Sequence, residues 1–236
     1  MYRWAWYVIN TRSVFYQSEQ SEYLSTDEPD TLALAPFLDL LNHSPSANIK
    51  AGFNTGTNCY EISTSDTYKA YDQVFICYGC HSNEKLFLEY GFCVPGNCND
   101  TVEVLYDDIL KACNHFSIQH LSKKIALLQE HGLLKSLMCT NEGLSWNLLS
   151  VLKVLVMDWN QLQIWNQVYT NDVAFPDIIP AAKKLAHWIL QQYLAENTQH
   201  MKHVEKIISN DDNPQHVTIA RQLISIERDI LMTSFQ

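Results

Sequence analysis

The chain has 236 residues, 47% hydrophobic and 18% charged, with 7 Gly and 7 Pro, which excludes a disordered polyelectrolyte and a collagen-like or low-complexity chain. That length allows one large domain or two modest ones. The 16 Lys and Arg against 26 Asp and Glu, formally −10, argue against direct nucleic-acid binding, which needs a basic face, and favour a basic protein partner.

The N-terminus carries no signal-peptide core and no small-residue cleavage site. No apolar run approaches membrane-spanning length; that at 148–157 is interrupted by Lys153. Seven cysteines, an odd number without a dense framework, suit a reducing compartment. These features predict an intracellular protein, cytoplasmic or nuclear, with no membrane partner.

Up to about residue 105 the sequence predicts short strands and turns. Segments 49–54, 59–63 and 74–78 mix β-branched and aromatic residues, separated by turn residues at 55–58 and Asp72. A short helix follows over 82–90, with Ser82 as N-cap, Glu84 in its first turn and Gly91 at its end. Pro95-Gly96-Asn97 form a turn before a last short strand at 102–105.

Beyond residue 105 the period is helical. Leu121, Ile125 and Leu128 share a face, with Gly132 as terminator. Trp146, Leu149, Leu152, Val156 and Trp159 continue the spacing. The stretch 178–208 carries Leu185, Trp188, Ile189 and Leu194, and Pro214 opens a last helix with Ile219, Leu223, Ile226 and Ile230. These stripes read as core, and the pairs Lys123-Lys124 and Lys183-Lys184 as solvated faces.

Among chemistry-bearing patterns, Cys77-Tyr78-Gly79-Cys80-His81 matches haem attachment by letter, but that chemistry requires export. Cys93 and Cys98 lack the tight spacing of a zinc knuckle, so no metal is expected and Cys77 reads as a small buried hydrophobe. Phosphate-loop, dinucleotide, zincin and serine-hydrolase motifs are absent.

The informative feature is an ordered set: Asp39-Leu40-Leu41-Asn42-His43-Ser44, then a strand ending in Tyr78-Gly79, then Ser82-Asn83 and Tyr90-Gly91-Phe92. Together these resemble the C-terminal half of a SET domain, the fold of protein-lysine methyltransferases that use S-adenosylmethionine. The helical half resembles the substrate-binding domain of the subfamily related to the Rubisco large-subunit methyltransferase. Trp4-Ala5-Trp6 with Thr11-Arg12-Ser13 looks like the end of that subfamily's insert region.

The resemblance implies an α+β fold. Residues 1–105 would be the C-terminal part of a SET domain, with short strands, a knot-like cofactor and lysine site, and the end of the insert at 1–25. Residues 106–236 would be an all-helical substrate-binding domain. It implies a lysine N-methyltransferase whose partner is a protein presenting a lysine, histone or non-histone. Tyr78 would be the catalytic tyrosine. Arg12, Asn42, His43, Tyr90 and Phe92 would meet S-adenosylmethionine, Asn42 through its amide and His43 through its backbone.

The sequence departs from that family in two places. No Gly-x-Gly occurs, although SET domains place one in strands before the insert, so the chain reads as N-terminally truncated. Ala70-Tyr71-Asp72 stands where the family has a glycine-containing turn. The alternative is therefore a catalytically inactive truncated form acting as a protein-binding module.

Overall fold

The computed structural model describes residues 1–15, 32–170, 175–208 and 214–235. Residues 16–25, read above as part of the insert region, lie outside them. The chain divides into two compact units, Met1–Asn97 and Cys98–Gln236, and the elements make an α+β protein.

The first unit opens with helix α1 (Tyr2–Arg12), then pairs β1 (Ser13–Phe15) antiparallel with β2 (Leu32–Leu34). A single 3₁₀ turn at Leu38–Leu40 leads into β3 (Asn42–His43). Strands β4 (Ile49–Asn54) and β5 (Cys59–Thr64) form an antiparallel hairpin with Ile49 opposite Thr64 and Asn54 opposite Cys59. Strand β6 (Phe75–Ile76) runs parallel to β3, with His43 opposite Ile76. Helix α2 (Asn83–Tyr90) closes the unit.

Helix α2 forms where the sequence predicts it, and for the predicted reasons. The Ser82 hydroxyl accepts the Lys85 N–H, and Gly91 takes the left-handed conformation (φ 81°) that lets its N–H reach the carbonyls of Leu86 and Phe87. In the 70–72 turn, Tyr71 itself adopts a positive φ of 72°. Asp72 supports that turn by accepting the Lys69 N–H at 2.8 Å.

The second unit contains β7 (Thr101–Glu103), α3 (Tyr106–His115), α4 (Leu121–Glu130), β8 (Met138–Thr140), β9 (Gly143–Leu144) and α5 (Trp146–Val156). It continues with α6 (Trp159–Leu162), α7 (Trp165–Tyr169), α8 (Ile178–Ile208) and α9 (Pro214–Thr233). Strand β7, read as the end of the strand-rich half, pairs with β8 in a small sheet ordered β7-β8-β9. That pairing puts the division between units at 97/98, before the residue near 105 where the composition changes.

The hydrophobic core is concentrated in this unit. Leu128, Val151, Leu155 and Leu185 are fully buried in one cluster fed by α3, α4, α5, α8 and α9. Among the described residues, only Ile76 and Leu86 of the buried apolar side chains precede residue 98. The Tyr193 hydroxyl on α8 donates to Asp108 at 2.8 Å and accepts the Leu105 N–H at 3.1 Å, closing the N-terminus of α3, whose N-cap offers no side-chain oxygen.

Two expectations from the helical pattern fail. The stripe from Trp146 to Trp159 breaks at Met157, because Asp158 and Gln161 form a reciprocal capping box that starts α6. Trp159 is consequently exposed, under the Lys123 ammonium at 4.6 Å and beside His120. Lys124 is not on a solvated face: it is buried, and its ammonium donates to the Leu155 carbonyl at 2.8 Å. A carbonyl at the end of α5 has no partner within the helix, and the lysine supplies one.

Candidate active site

Three short segments of the first unit converge on Tyr78. Its backbone N–H donates to His43 Nδ1 at 3.1 Å, and its hydroxyl donates to the Leu41 carbonyl at 2.7 Å. Main chain and side chain are thus both tied to the Leu41–His43 strip. Tyr90, at the end of α2, brings its ring centroid to 4.9 Å from that of Tyr78. Phe92 meets Tyr78 edge-on at 6.1 Å and His43 at 5.9 Å. These spacings are those of favourable aromatic pairs.

Local structure explains the convergence. The parallel bridge and the Ser44 N–H to Ile76 carbonyl bond (2.9 Å) set His43 beside β6, which ends two residues before Tyr78. In that ladder, His43's own N–H and C=O are directed away from β6. Phe92 follows the left-handed turn at Gly91, and the chain two residues beyond it is held by Asn83, which is fully buried. The Asn83 amide grips both backbone groups of Val94, accepting its N–H at 2.6 Å and donating to its carbonyl at 2.9 Å.

Beside this cluster lies a cavity of about 360 Å³. Arg12, Asp39, Tyr78 and Tyr90 line it, over an apolar floor that includes Ile49, Ile62 and Ile76. Arg12 Nη1 lies 3.2 Å from Asp39 Oδ1, in an ion pair open to solvent.

Burial pushes the Tyr78 phenol above its ordinary value; the Asp39 charge adds to the rise and Arg12 offsets it. Burial, then the charge of Glu89, raises Tyr90 likewise. Both phenols are therefore neutral at physiological pH. His43 is lowered, first by burial and then by the neighbouring His81, against a backbone hydrogen bond at Ile76. A neutral imidazole is what Nδ1 needs to accept the Tyr78 N–H.

Of the residues singled out from sequence, Arg12, Tyr78 and Tyr90 line the cavity. His43 and Phe92 stand behind Tyr78 in the aromatic cluster. Asn42 is exposed on β3 and is not part of the cavity wall. Sequence reasoning missed Asp39 and Asn83, although both stood inside the quoted motifs. Cys77, read as a buried hydrophobe, is half-buried and lines the cavity. Among the described residues no group of three His, Cys, Asp or Glu is placed to hold a metal, and no helix is long and apolar enough to cross a membrane.

Residues 116–231 match the family model described as Rubisco LSMT substrate-binding. Over 240 residues the chain is 38% identical to human SET domain-containing protein 4, covering 98% of this chain and 52% of that protein. The chain is a homologue of SET domain-containing protein 4. The mouse protein of that name is 45% identical over 170 residues, 72% of this chain and 38% of its own length. The ribosomal lysine N-methyltransferase set11 of Schizosaccharomyces pombe is 31% identical over 156 residues, 66% of this chain and 36% of the relative. The chain thus spans about half, or less, of the curated relatives it matches.

Proposed function

We propose that the protein is an S-adenosylmethionine-dependent protein-lysine N-methyltransferase whose helical unit holds the protein substrate. The observation that carries this reading is the junction at Tyr78, which contacts His43, Tyr90 and Phe92 on the rim of the cavity lined by Arg12 and Asp39. The name of the set11 relative supports lysine as the acceptor and favours an enzyme over an inactive binding module.

The cavity suits such a cofactor. Its volume falls within the range of roughly 300–1,000 Å³ usual for small-molecule sites. It offers a guanidinium, a carboxylate, two phenols and an aliphatic floor to a zwitterion with a flat ring. Arg12 would face the cofactor's carboxylate, and Asp39 its ammonium or sulfonium. Asn42 and His43 lie outside this lining; by the family resemblance the His43 backbone groups, turned away from β6, would meet the adenine edge and Asn42 the amino-acid end where the cofactor extends beyond it.

S-adenosylmethionine, when bound, supplies an electrophilic methyl group. The chain's own task is to present a neutral lysine amine in line with it. A lysine has an ordinary pKa of about 10.4. Placing it against the paired rings of Tyr78 and Tyr90 removes water from the ammonium and lowers that value. Because both phenols stay protonated, neither adds a negative charge that would hold the proton on the lysine. The Asp39 charge is matched by Arg12. With its proton committed to the Leu41 carbonyl, the Tyr78 oxygen keeps its lone pairs for the amine N–H, which fixes the amine's direction.

The substrate class follows from charge. A chain at −10 favours a basic protein segment, histone or non-histone, over nucleic acid, and we assign the activity to the cytoplasm or nucleus. Titration calorimetry of the chain with S-adenosylmethionine is the direct test, followed by methyl transfer to basic proteins with wild type and Tyr78→Phe. Binding together with loss of transfer in the variant is expected. Unchanged turnover in Tyr78→Phe would remove Tyr78 from the mechanism.

A further inference from the structure

We infer that His81 is a positioning residue, whose imidazole is held over Gly79 and sets the angle at which the Tyr90 ring meets Tyr78. The motif carrying the SET resemblance runs past this position.

The His81 backbone is fixed from two sides. Its N–H donates to the Gly79 carbonyl at 2.9 Å, making a tight turn. Its own carbonyl accepts the Asn97 amide at 2.8 Å, and Asn97 is only 3% exposed. The point from which the ring springs is therefore fixed.

Its place is the space that a side chain at position 79 would take. A Cβ on Gly79 would lie 2.6 Å from His81 Nε2, 2.8 Å from Cε1 and 3.2 Å from Cδ2. Gly79 also has φ +135°, a conformation that side-chain-bearing residues rarely adopt. The imidazole stacks on Tyr90 with 21° between planes and 6.3 Å between centroids, an offset-stack distance. Tyr90 in turn meets Tyr78, which is bonded to Gly79. The four residues form a circuit, so a turn of Tyr90 would disturb a ring that occupies the space beside Gly79.

The consequence for catalysis is that His81 holds one wall of the lysine channel without touching the reacting atoms. That consequence rests on the methyl-transfer reading; the positioning itself does not. Fluorine NMR of the chain labelled with 3-fluorotyrosine tests it, with the Tyr78, Tyr90 and Tyr193 signals assigned by Tyr→Phe variants. Titration calorimetry with S-adenosylmethionine runs on the same samples.

His81→Ala is expected to move the Tyr90 and Tyr78 signals, to leave Tyr193 in place, and to weaken cofactor binding by about three- to tenfold, the size of one aromatic contact. His81→Phe, which keeps a stacking ring, is expected to restore both readouts. An unmoved Tyr90 signal, a shift shared with Tyr193, or no rescue by Phe overturns the proposal. If His81→Ala does not fold, nuclear Overhauser contacts between the His81 and Tyr90 ring protons in the wild type decide: their presence supports the assignment and their absence overturns it. A wild type that binds no cofactor would sink the proposed function, and the fluorine signals would still decide the role of His81.

Discussion

Tyr78 is fixed at both its main chain and its hydroxyl, and each tie gives a separate expectation. Replacing Tyr78 with Phe removes the O–H bond to the Leu41 carbonyl and should cost about 1 kcal/mol of stability, measured by urea unfolding. A loss several times larger would mean that the hydroxyl organises the strip as well as pairing with it. The His43 bond is sensitive to acid, because Nδ1 must be unprotonated to accept the Tyr78 N–H. Folding lowers the His43 pKa from its ordinary 6.5, so the folded state takes up this proton less readily than the unfolded chain does. Its contribution is complete above about pH 6.5 and is lost progressively as pH falls from there towards the lowered folded value. Urea unfolding from pH 7.5 down to 5 should show this decline, and His43→Gln should flatten it.

At the scale of elements, what was readable depended on how local the determinants were. The ends of α2 are written in adjacent residues, Ser82 and Gly91, and the hairpin β4–β5 in its β-branched and aromatic run. The capping box at Asp158 is equally local, yet the apolar period running through Trp159 concealed it. The roles of Asn83 and Lys124 were not legible, because each satisfies backbone groups that sequence cannot place beside it: those of Val94 and the carbonyl of Leu155. The pairing of β7 with β8 is non-local in the same way. Arg12, Tyr78 and Tyr90 could be named from the family resemblance, whereas Asp39 became visible only when the chain brought Arg12 to it across 27 residues. Asn83→Ala should destabilise by about 2–3 kcal/mol, since two buried backbone groups lose partners at once. The Phe92 ring should loosen with it, seen as altered ring signals by NMR, while Asn83→Asp keeps only the accepting half of the grip.

For the molecule as a whole, the uneven distribution of buried apolar side chains sets where stability resides. The unit beginning at Cys98 holds a continuous core, whereas among the described residues the unit carrying the candidate site has few that are fully buried and relies on short ladders and side-chain bonds to backbone. Regions with few buried apolar contacts open at low free energy. Hydrogen exchange should therefore be slowest in α5 and α8 and markedly faster in β3, β6 and α2. Adding S-adenosylmethionine should slow exchange chiefly around Tyr78, because a ligand stabilises the segments it orders. Uniform exchange across both units would contradict this assignment.

The crowding of His81 against Gly79 also bears on how this sequence can drift. Position 81 can change without a clash while the glycine stays, because a smaller side chain vacates space, and the change is then felt through the lost stack on Tyr90. A side chain at position 79 would start 2.6 Å from an imidazole nitrogen, so the histidine ring would have to swing off Tyr90 to admit it. Losing the histidine first lifts the steric bar but leaves φ +135° unfavourable to every replacement. Among descendants of this chain, replacements at 81 should favour residues with a ring that can stack, and a residue other than glycine at 79 should occur only where the turn has been rebuilt.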